Sequence, residues 1–404
     1  MIFTLAMLGV AFFAFAPMFV GGSFGVSQPA SVFFLESSKP ENLKLAFADE
    51  PKSQRKLRIL VVPGHDDEYS GAEFQGIREA DMTLSLGKQL ALLLGTDDAF
   101  DVILARDDSG YNPLLSSYFS EQASKISLFV QAKKQIMTNL VSLGEVSKTD
   151  NNIAHVKVPS PVSLRLYGIN KWANENNIDL VVHIHFNDYP RRRRAIPGEY
   201  SGFSIYAPEK QYSNARASFA VADKVSKKLN NFYSESNLPK EGDGVIEDQD
   251  LIAIGAFNTL DPASILIEYG YIYEPQFLDE DIRAKVIEDL AFQTYVGIHN
   301  FFGNSSPNSS GKFGTALLPY KWKTMPTNGA KADLSVLSLQ SALTLEGFYP
   351  PKDFDSHDCP LSGTFGRCTR LALSLFQQKY GLSSGDSASV SLATLAKLNE
   401  LYGQ

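Results

Sequence analysis

Residues 180–187 read LVVHIHFN. Branched and aromatic residues dominate the run, and no glycine or proline interrupts it, so it reads as a strand. Successive strand side chains point to opposite faces, so His183 and His185 share one face. That face either packs into a core or holds a metal, and strand geometry alone leaves both open. Working outward, LRILVV (57–62), DVILA (101–105), GFSIY (202–206) and ILIEYGYI (265–272) read as further strands. Apolar residues at helical spacing over about 77–94, 162–176, 212–233 and 280–302 predict helices between and after them. Strands alternating with helices imply an α/β fold, a mostly parallel twisted sheet flanked by helices. Residues 111–161 interrupt the alternation, with a helix expected over about 117–142, and read as an insertion beside the sheet.

Composition bounds what the chain does. Its 404 residues suffice for two or three domains, and 44% hydrophobic with 20% charged residues is ordinary for a globular protein. A formal net charge of -8 argues against a nucleic-acid partner. Residues 2–22 carry no charge, long enough for a membrane anchor, while AFA at 14–16 and 46–48 offers small-residue cleavage patterns. Residues 1–24 are therefore expected as a signal peptide or membrane anchor, and 25–55, rich in Ser, Pro and charge, as a tether. The expected location is exported, at the cell envelope. Cys359 and Cys368, with eight residues between them, are either unrelated thiols or a local disulfide, and the latter needs an oxidising compartment. GNSSPNSSGK (303–312) marks a linker, set at 304–330, between a domain over 56–303 and a compact three-helix unit over 331–404.

Four residues carry candidate chemistry. His65 follows the first strand, Glu79 opens the first helix, His185 lies late in LVVHIHFN, and Glu268 interrupts the apolar ILIEYG run. Ligands bind outside the carboxyl ends of strands in open α/β sheets, and all four residues can reach that edge. Two histidines and a carboxylate with an open fourth position suit catalytic zinc, and a further carboxylate nearby suits a general base. Each also has a plainer reading, a core histidine or a carboxylate complementing a helix dipole. Glu268 resists the plainer reading most, because an unpaired carboxylate in an apolar strand is costly and no neighbouring cation is at hand.

Four blocks carry a resemblance. VVPGHDDEYSGAEFQGIREADMTLSLGKQL (61–90), VILARDDSGY (102–111), KWANENNIDLVVHIHFND (171–188) and DPASILIEYGYI (261–272) occur in this order. Together they resemble the zinc-dependent N-acetylmuramoyl-L-alanine amidases that cut peptidoglycan. The resemblance implies zinc held by His65, Glu79 and His185, with Glu268 as the catalytic glutamate. It implies hydrolysis of the amide between the lactyl group of N-acetylmuramic acid and L-alanine of the stem peptide. Zinc would polarise the carbonyl and activate water, and Glu268 would take the water's proton and pass one to the leaving amine. The sequence departs from the family in three places. Asp66-Asp67-Glu68-Tyr69-Ser70 stands where glycines are usual, placing carboxylates that can compete for the metal. His183 replaces a serine, and Asp243-Gly244-Val245 replaces an Arg-Gly motif. His183, Asn187, Arg191 and Arg192 are the expected substrate contacts, the last two from the Arg191–Arg194 run, which can attract stem-peptide carboxylates or be a solvated loop.

LSLQSALTLEGFYP (337–350) and GTFGRCTRLALSLFQQKYGL (363–382) resemble the small three-helix peptidoglycan-binding domain, in which Phe365, Gly366 and Thr369 shape the fold. Cys359 and Cys368 bracket its Gly-x-Phe-Gly loop. The leading expectation is thus a zinc amidase with a wall-binding module. A catalytically inactive peptidoglycan scaffold and a zinc carboxypeptidase acting on stem peptides are the competing readings.

Overall fold

The computed structural model describes residues 39–50, 55–149, 159–189, 192–193, 195–242, 244–303, 312–326, 331–382 and 390–404. The stretch expected as a signal or anchor, residues 1–24, lies outside the described residues, as do Arg191, Arg194 and Asp243. Helix α1 (Pro40–Ala48) comes first, followed by β1 (Leu57–Pro63), the short strands β2 (Glu73–Phe74) and β3 (Ile77–Arg78), and helix α2 (Glu79–Leu94). Strand β4 (Phe100–Leu104) leads into the hairpin β5 (Arg106–Asp107) and β6 (Gly110–Tyr111). The insertion supplies α3 (Pro113–Glu121) and α4 (Ala123–Ser142), and α5 (Ser160–Glu175) leads to β7 (Leu180–Asn187). Then come β8 (Ser204–Pro208), α6 (Ala215–Leu229), β9 (Val245–Asp248), β10 (Ala263–Tyr271), α7 (Pro275–Leu278) and α8 (Glu280–Phe302). The C-terminal unit has α9 (Leu334–Leu345), α10 (Arg367–Lys379) and α11 (Leu392–Tyr402).

Six strands form one sheet in the order β4-β1-β7-β10-β8-β9. β4, β1, β7 and β10 run parallel, β8 is antiparallel to β10, and β9 is parallel to β8. This is the mostly parallel α/β layering expected from the alternation. The interior strands read as near-continuous apolar runs because helices cover both faces. α2, α6 and α8 pack one face through Leu86, Leu90, Val221, Val225, Leu290 and Tyr295, and α5 covers the other through Ile169 and Trp172. Register sets His183 beside Val62 of β1 and Leu266 of β10, and His185 beside Glu268. The parallel strands therefore carry the candidate chemistry to one edge.

Two expectations about organisation need correction. Within the stretch expected as a tether, α1 is folded onto the domain. Its Leu43 and Phe47 are buried, and Phe47 stacks on Phe302 at 4.8 Å between ring centroids. Two apolar side chains one helical turn apart give that segment a face to bury, which a composition reading overlooks. Residues 312–326, expected as linker, instead form a buried strap. Leu317, Leu318 and Trp322 enter the core, and the Trp322 indole donates to the Ser335 carbonyl at 2.8 Å. Asp289 of α8 anchors the strap by accepting from the Thr315 hydroxyl and the Ala316 amide, both at 2.6 Å. The C-terminal helices thus share one continuous apolar core with the α/β domain. Within them, buried Gln340 donates to the Thr364 carbonyl and the Thr369 hydroxyl and accepts from the Gly363 amide. Cys359 and Cys368 are joined by a disulfide.

Candidate metal centre

β1 ends at Pro63-Gly64, and the chain turns into the left-handed region at His65, φ 61°. For a residue with a Cβ this conformation is uncommon and must be held by its surroundings. Buried Arg106 supplies much of the hold, donating to the Gly64 and Ala80 carbonyls at 3.1 and 2.7 Å and to Thr83 Oγ1 at 3.1 Å. Thr83 in turn donates to the Gly64 carbonyl at 2.6 Å. Two glycines let the site close up. A Cβ on Gly64 would lie 2.3 Å from His185 Cε1, and one on Gly71 would lie 2.4 Å from Glu79 Oε2.

Glu79 is the first residue of α2 and is buried between the two histidines. Its Oε2 lies 3.1 Å from His65 Nε2, and its Oε1 lies 3.1 Å from His185 Nδ1. The same oxygens accept from the backbone amides of Ala72 (2.8 Å) and Phe186 (3.1 Å). Burial works to raise the carboxyl's pKa, but the two histidines and their hydrogen bonds hold it well below the usual carboxylate range. His185 is pushed down by burial despite its bond to Glu79, while at His65 the opposing pull of Glu79 outweighs burial and raises the pKa.

One ligand atom from each of His65, Glu79 and His185 falls within 4.8 Å of the others, the group among the described residues able to hold a metal ion. Bonds of about 2.0–2.1 Å in a tetrahedron put neighbouring ligand atoms roughly 3.3 Å apart. The two 3.1 Å separations run to different oxygens of Glu79, so the fit rests on the donor set: two imidazoles and one carboxylate converging within 4.8 Å are a set found at catalytic zinc. The residues fit zinc.

Glu268 stands beside His185 across β7 and β10. Its Oε2 is buried without a hydrogen-bond partner among the described residues. Burial, then the negative charges of Glu79 and Glu241, push its pKa well above the usual range. A cavity of about 550 Å³ opens here, lined by His65, His185 and Glu268 and continuing over His183. His183 is almost wholly buried, and neither ring nitrogen makes a hydrogen bond of normal geometry among the described residues. Burial, then the neighbouring His185, lowers its pKa to about 3, with the Ala253 backbone acting weakly the other way, so the ring is uncharged.

The remaining expected site residues fall elsewhere. Asn187 turns its side-chain oxygen to the Tyr189 amide at 2.8 Å, capping the turn after β7. Arg192, expected as a substrate contact, is committed to the protein. It bonds Asp188 at 2.6 Å and the Glu73 carbonyl at 2.7 Å, and its guanidinium lies over Phe74 at 4.6 Å from the ring centroid. A planar cation stacked on aromatic rings is a structural clamp here, which a charge run in sequence does not reveal. The carboxylates after His65 are likewise occupied: Asp66 and Glu68 pair with Arg165, and Asp67 with Arg78. The cavity's cations come instead from helices the sequence reading left without a role, Lys134 of α4 and Arg165 of α5. Neither sits near a ligand in sequence: the packing of the insertion brings Lys134 there and the packing of α5 on the sheet brings Arg165, which is itself paired with Asp66 and Glu68. Arg106 was equally unmarked, although it is the one charged residue of its block to become buried.

A family model described as N-acetylmuramoyl-L-alanine amidase matches residues 59–300, well over half of the chain. No curated protein matches the chain in sequence. Among solved structures, the chain is similar to the N-acetylmuramoyl-L-alanine amidase AmiC2 of Nostoc punctiforme, with 18% identity and a TM-score of 0.37, covering 62% of this chain and 99% of that one. It is similar to the CwlD amidase of Clostridioides difficile, in complex there with the GerS lipoprotein, with 18% identity, a TM-score of 0.40 and coverage of 61% and 99%. The catalytic domain of CwlV from Bacillus (Paenibacillus) polymyxa is a third, with 15% identity, a TM-score of 0.37 and coverage of 62% and 99%. By the match over 59–300, this chain belongs to the N-acetylmuramoyl-L-alanine amidase family, enzymes that hydrolyse cell-wall peptidoglycan.

Proposed function

We propose that the chain cleaves the amide between the muramic acid lactyl group and L-alanine with zinc held by His65, Glu79 and His185. The observation that carries this reading is the approach of three zinc-type donors at the strand edge beside Glu268, whose buried Oε2 has no partner among the described residues. When bound, zinc supplies Lewis acidity, polarising the scissile carbonyl and lowering the pKa of water toward neutrality. Glu79, fixed by the Ala72 and Phe186 amides, orients both imidazoles. Glu268 accepts the proton of the attacking water and returns one to the departing L-alanine amine, and its raised proton affinity suits both transfers. Lys134 at the cavity wall draws the anionic stem peptide, while Arg165 beside it is paired with Asp66 and Glu68.

The C-terminal helical unit binds peptidoglycan and, packed on α8, holds the wall beside the catalytic domain. The disulfide supports a location outside the reducing cytoplasm, in keeping with export to the cell envelope. Incubation of the full chain with intact peptidoglycan, with zinc supplied or chelated, tests the reaction. Stem peptides carrying a free L-alanine amine are expected only with zinc. Binding without release would mean a scaffold, and loss of a terminal amino acid would mean a carboxypeptidase.

A further inference from the structure

Beyond the metal set, the cavity runs back along β7 into a chamber walled by Val62, Leu166, Ile169, Ile252 and Leu266. Those five residues are apolar and His183 lies among them, while Lys134, Tyr167 and Asp250 line the same cavity. A buried polar group without a partner is costly, and native cores rarely keep one for packing alone. Neither ring nitrogen has a hydrogen-bond partner among the described residues, so the ring is left to bond something else. An imidazole can offer a donor at one nitrogen and an acceptor at the other, the same pair, reversed, that a secondary amide presents. His183 and His185 are two residues apart on one strand face, about 6.6 Å along the chain, the reach of a substrate group beside the scissile amide.

We propose that His183 and the chamber around it recognise a secondary amide of the substrate next to the scissile bond, either the acetamido group of muramic acid or the next peptide group of the stem. Both sources join an amide to a small apolar group, which matches a histidine flanked by Val62, Ile169, Ile252 and Leu266. The inference rests on the amidase reading for the identity of the substrate.

Binding is measured by calorimetry on the zinc-loaded full chain carrying Glu268→Gln, so that ligand is not consumed. The ligands are N-acetylmuramoyl-L-alanyl-D-isoglutamine, its de-N-acetylated counterpart, and N-acetylmuramoyl-L-alanine. His183→Phe keeps the ring's bulk and is expected to weaken binding of the first ligand about tenfold, the scale of one hydrogen bond. Melting temperature and zinc content should stay unchanged, and His183→Asn, which restores a donor and an acceptor, should recover part of the loss. A loss that vanishes with the de-N-acetylated ligand assigns the acetamido group. A loss that persists there but vanishes with the shortened ligand assigns the stem amide. Unchanged affinity for the first ligand, or equal weakening for all three, overturns the proposal. Turnover of peptidoglycan by the otherwise unaltered chain is scored separately, so a chain that binds with this pattern yet releases no stem peptide fails the assigned reaction and not the amide contact.

Discussion

Glu79 and Glu268 are both glutamates beside His185, yet their surroundings drive them apart. Glu79 accepts two backbone amides and faces two imidazoles, so its charged form is favoured. Among the described residues Glu268 has no donor on Oε2, and burial, then the charges of Glu79 and Glu241, raise its affinity for a proton. One is built to bind a cation and the other to move a proton, which is how environments assign roles to like residues. Glu268→Gln is therefore expected to lower turnover by about 10²–10⁴-fold, the usual worth of a general base, while zinc content measured by mass spectrometry stays at the parent level. Glu79→Ala should instead lose zinc and activity together. Gly64→Ala should also lose zinc although no ligand is replaced, because the added methyl would meet the His185 ring at 2.3 Å and displace it. Zinc retention in that variant would show that β1 yields more than its bonds to Arg106 and Thr83 suggest.

At the scale of elements, the strand-edge site depends on contacts that hold helices in place. In the C-terminal unit, Glu346 at the end of α9 accepts from Lys379 of α10 at 2.5 Å, Tyr380 at 3.0 Å and Tyr402 of α11 at 2.6 Å. Burial alone would raise its pKa, but these hydrogen bonds lower it below the ordinary value. A carboxyl whose folded pKa is depressed adds stability above its unfolded value, about 4.3, and loses it as pH falls through the folded value. Glu346→Gln should thus destabilise the chain by about 1–2 kcal/mol at neutral pH, with the difference shrinking below about pH 4. Denaturant melts of the two chains across that range provide the check. Asp289 plays the matching part on α8, accepting from Tyr233, Thr315 and Ala316 in a fully buried position. Asp289→Ala leaves those donors unpaired and should cost about 3 kcal/mol, again read from denaturant melts.

For the whole molecule, the shared core makes the C-terminal unit part of one folded body. Removal of residues 312–404 would expose the α8 surface that Leu317, Leu318 and Trp322 now cover. Such a truncated chain is expected to melt lower and bind a hydrophobic dye, whereas an unchanged melting temperature would mean the two units are energetically independent. The disulfide closes a short loop, with a sequence separation of 9 between its cysteines. By chain entropy it should contribute about 2–3 kcal/mol, so a reductant should lower the melting temperature.

Much was legible in the sequence where the physics is local. Strand alternation put His183 and His185 on one face, helical spacing outlined α2 and α8, and the apolar run around Glu268 exposed it as a residue without a local partner. The ordered blocks named His65, Glu79, His185 and Glu268, and those residues stand together at the strand edge. Non-local packing decided the rest. A row of arginines in sequence does not say that Arg192 turns inward onto Phe74. A Ser- and Pro-rich composition does not show that α1 and the 312–326 strap have apolar faces to bury. Lys134 reaches the cavity only because the insertion's helices fold back on α5, which itself carries Arg165. Sequence by itself determined the fold class, since periodicity and residue type act at short range, and it nominated the four residues of the candidate set through the resemblance of the ordered blocks. The tertiary structure alone decided which charges are free to meet a substrate and that His183 lines the chamber, since both depend on which distant surfaces exclude water.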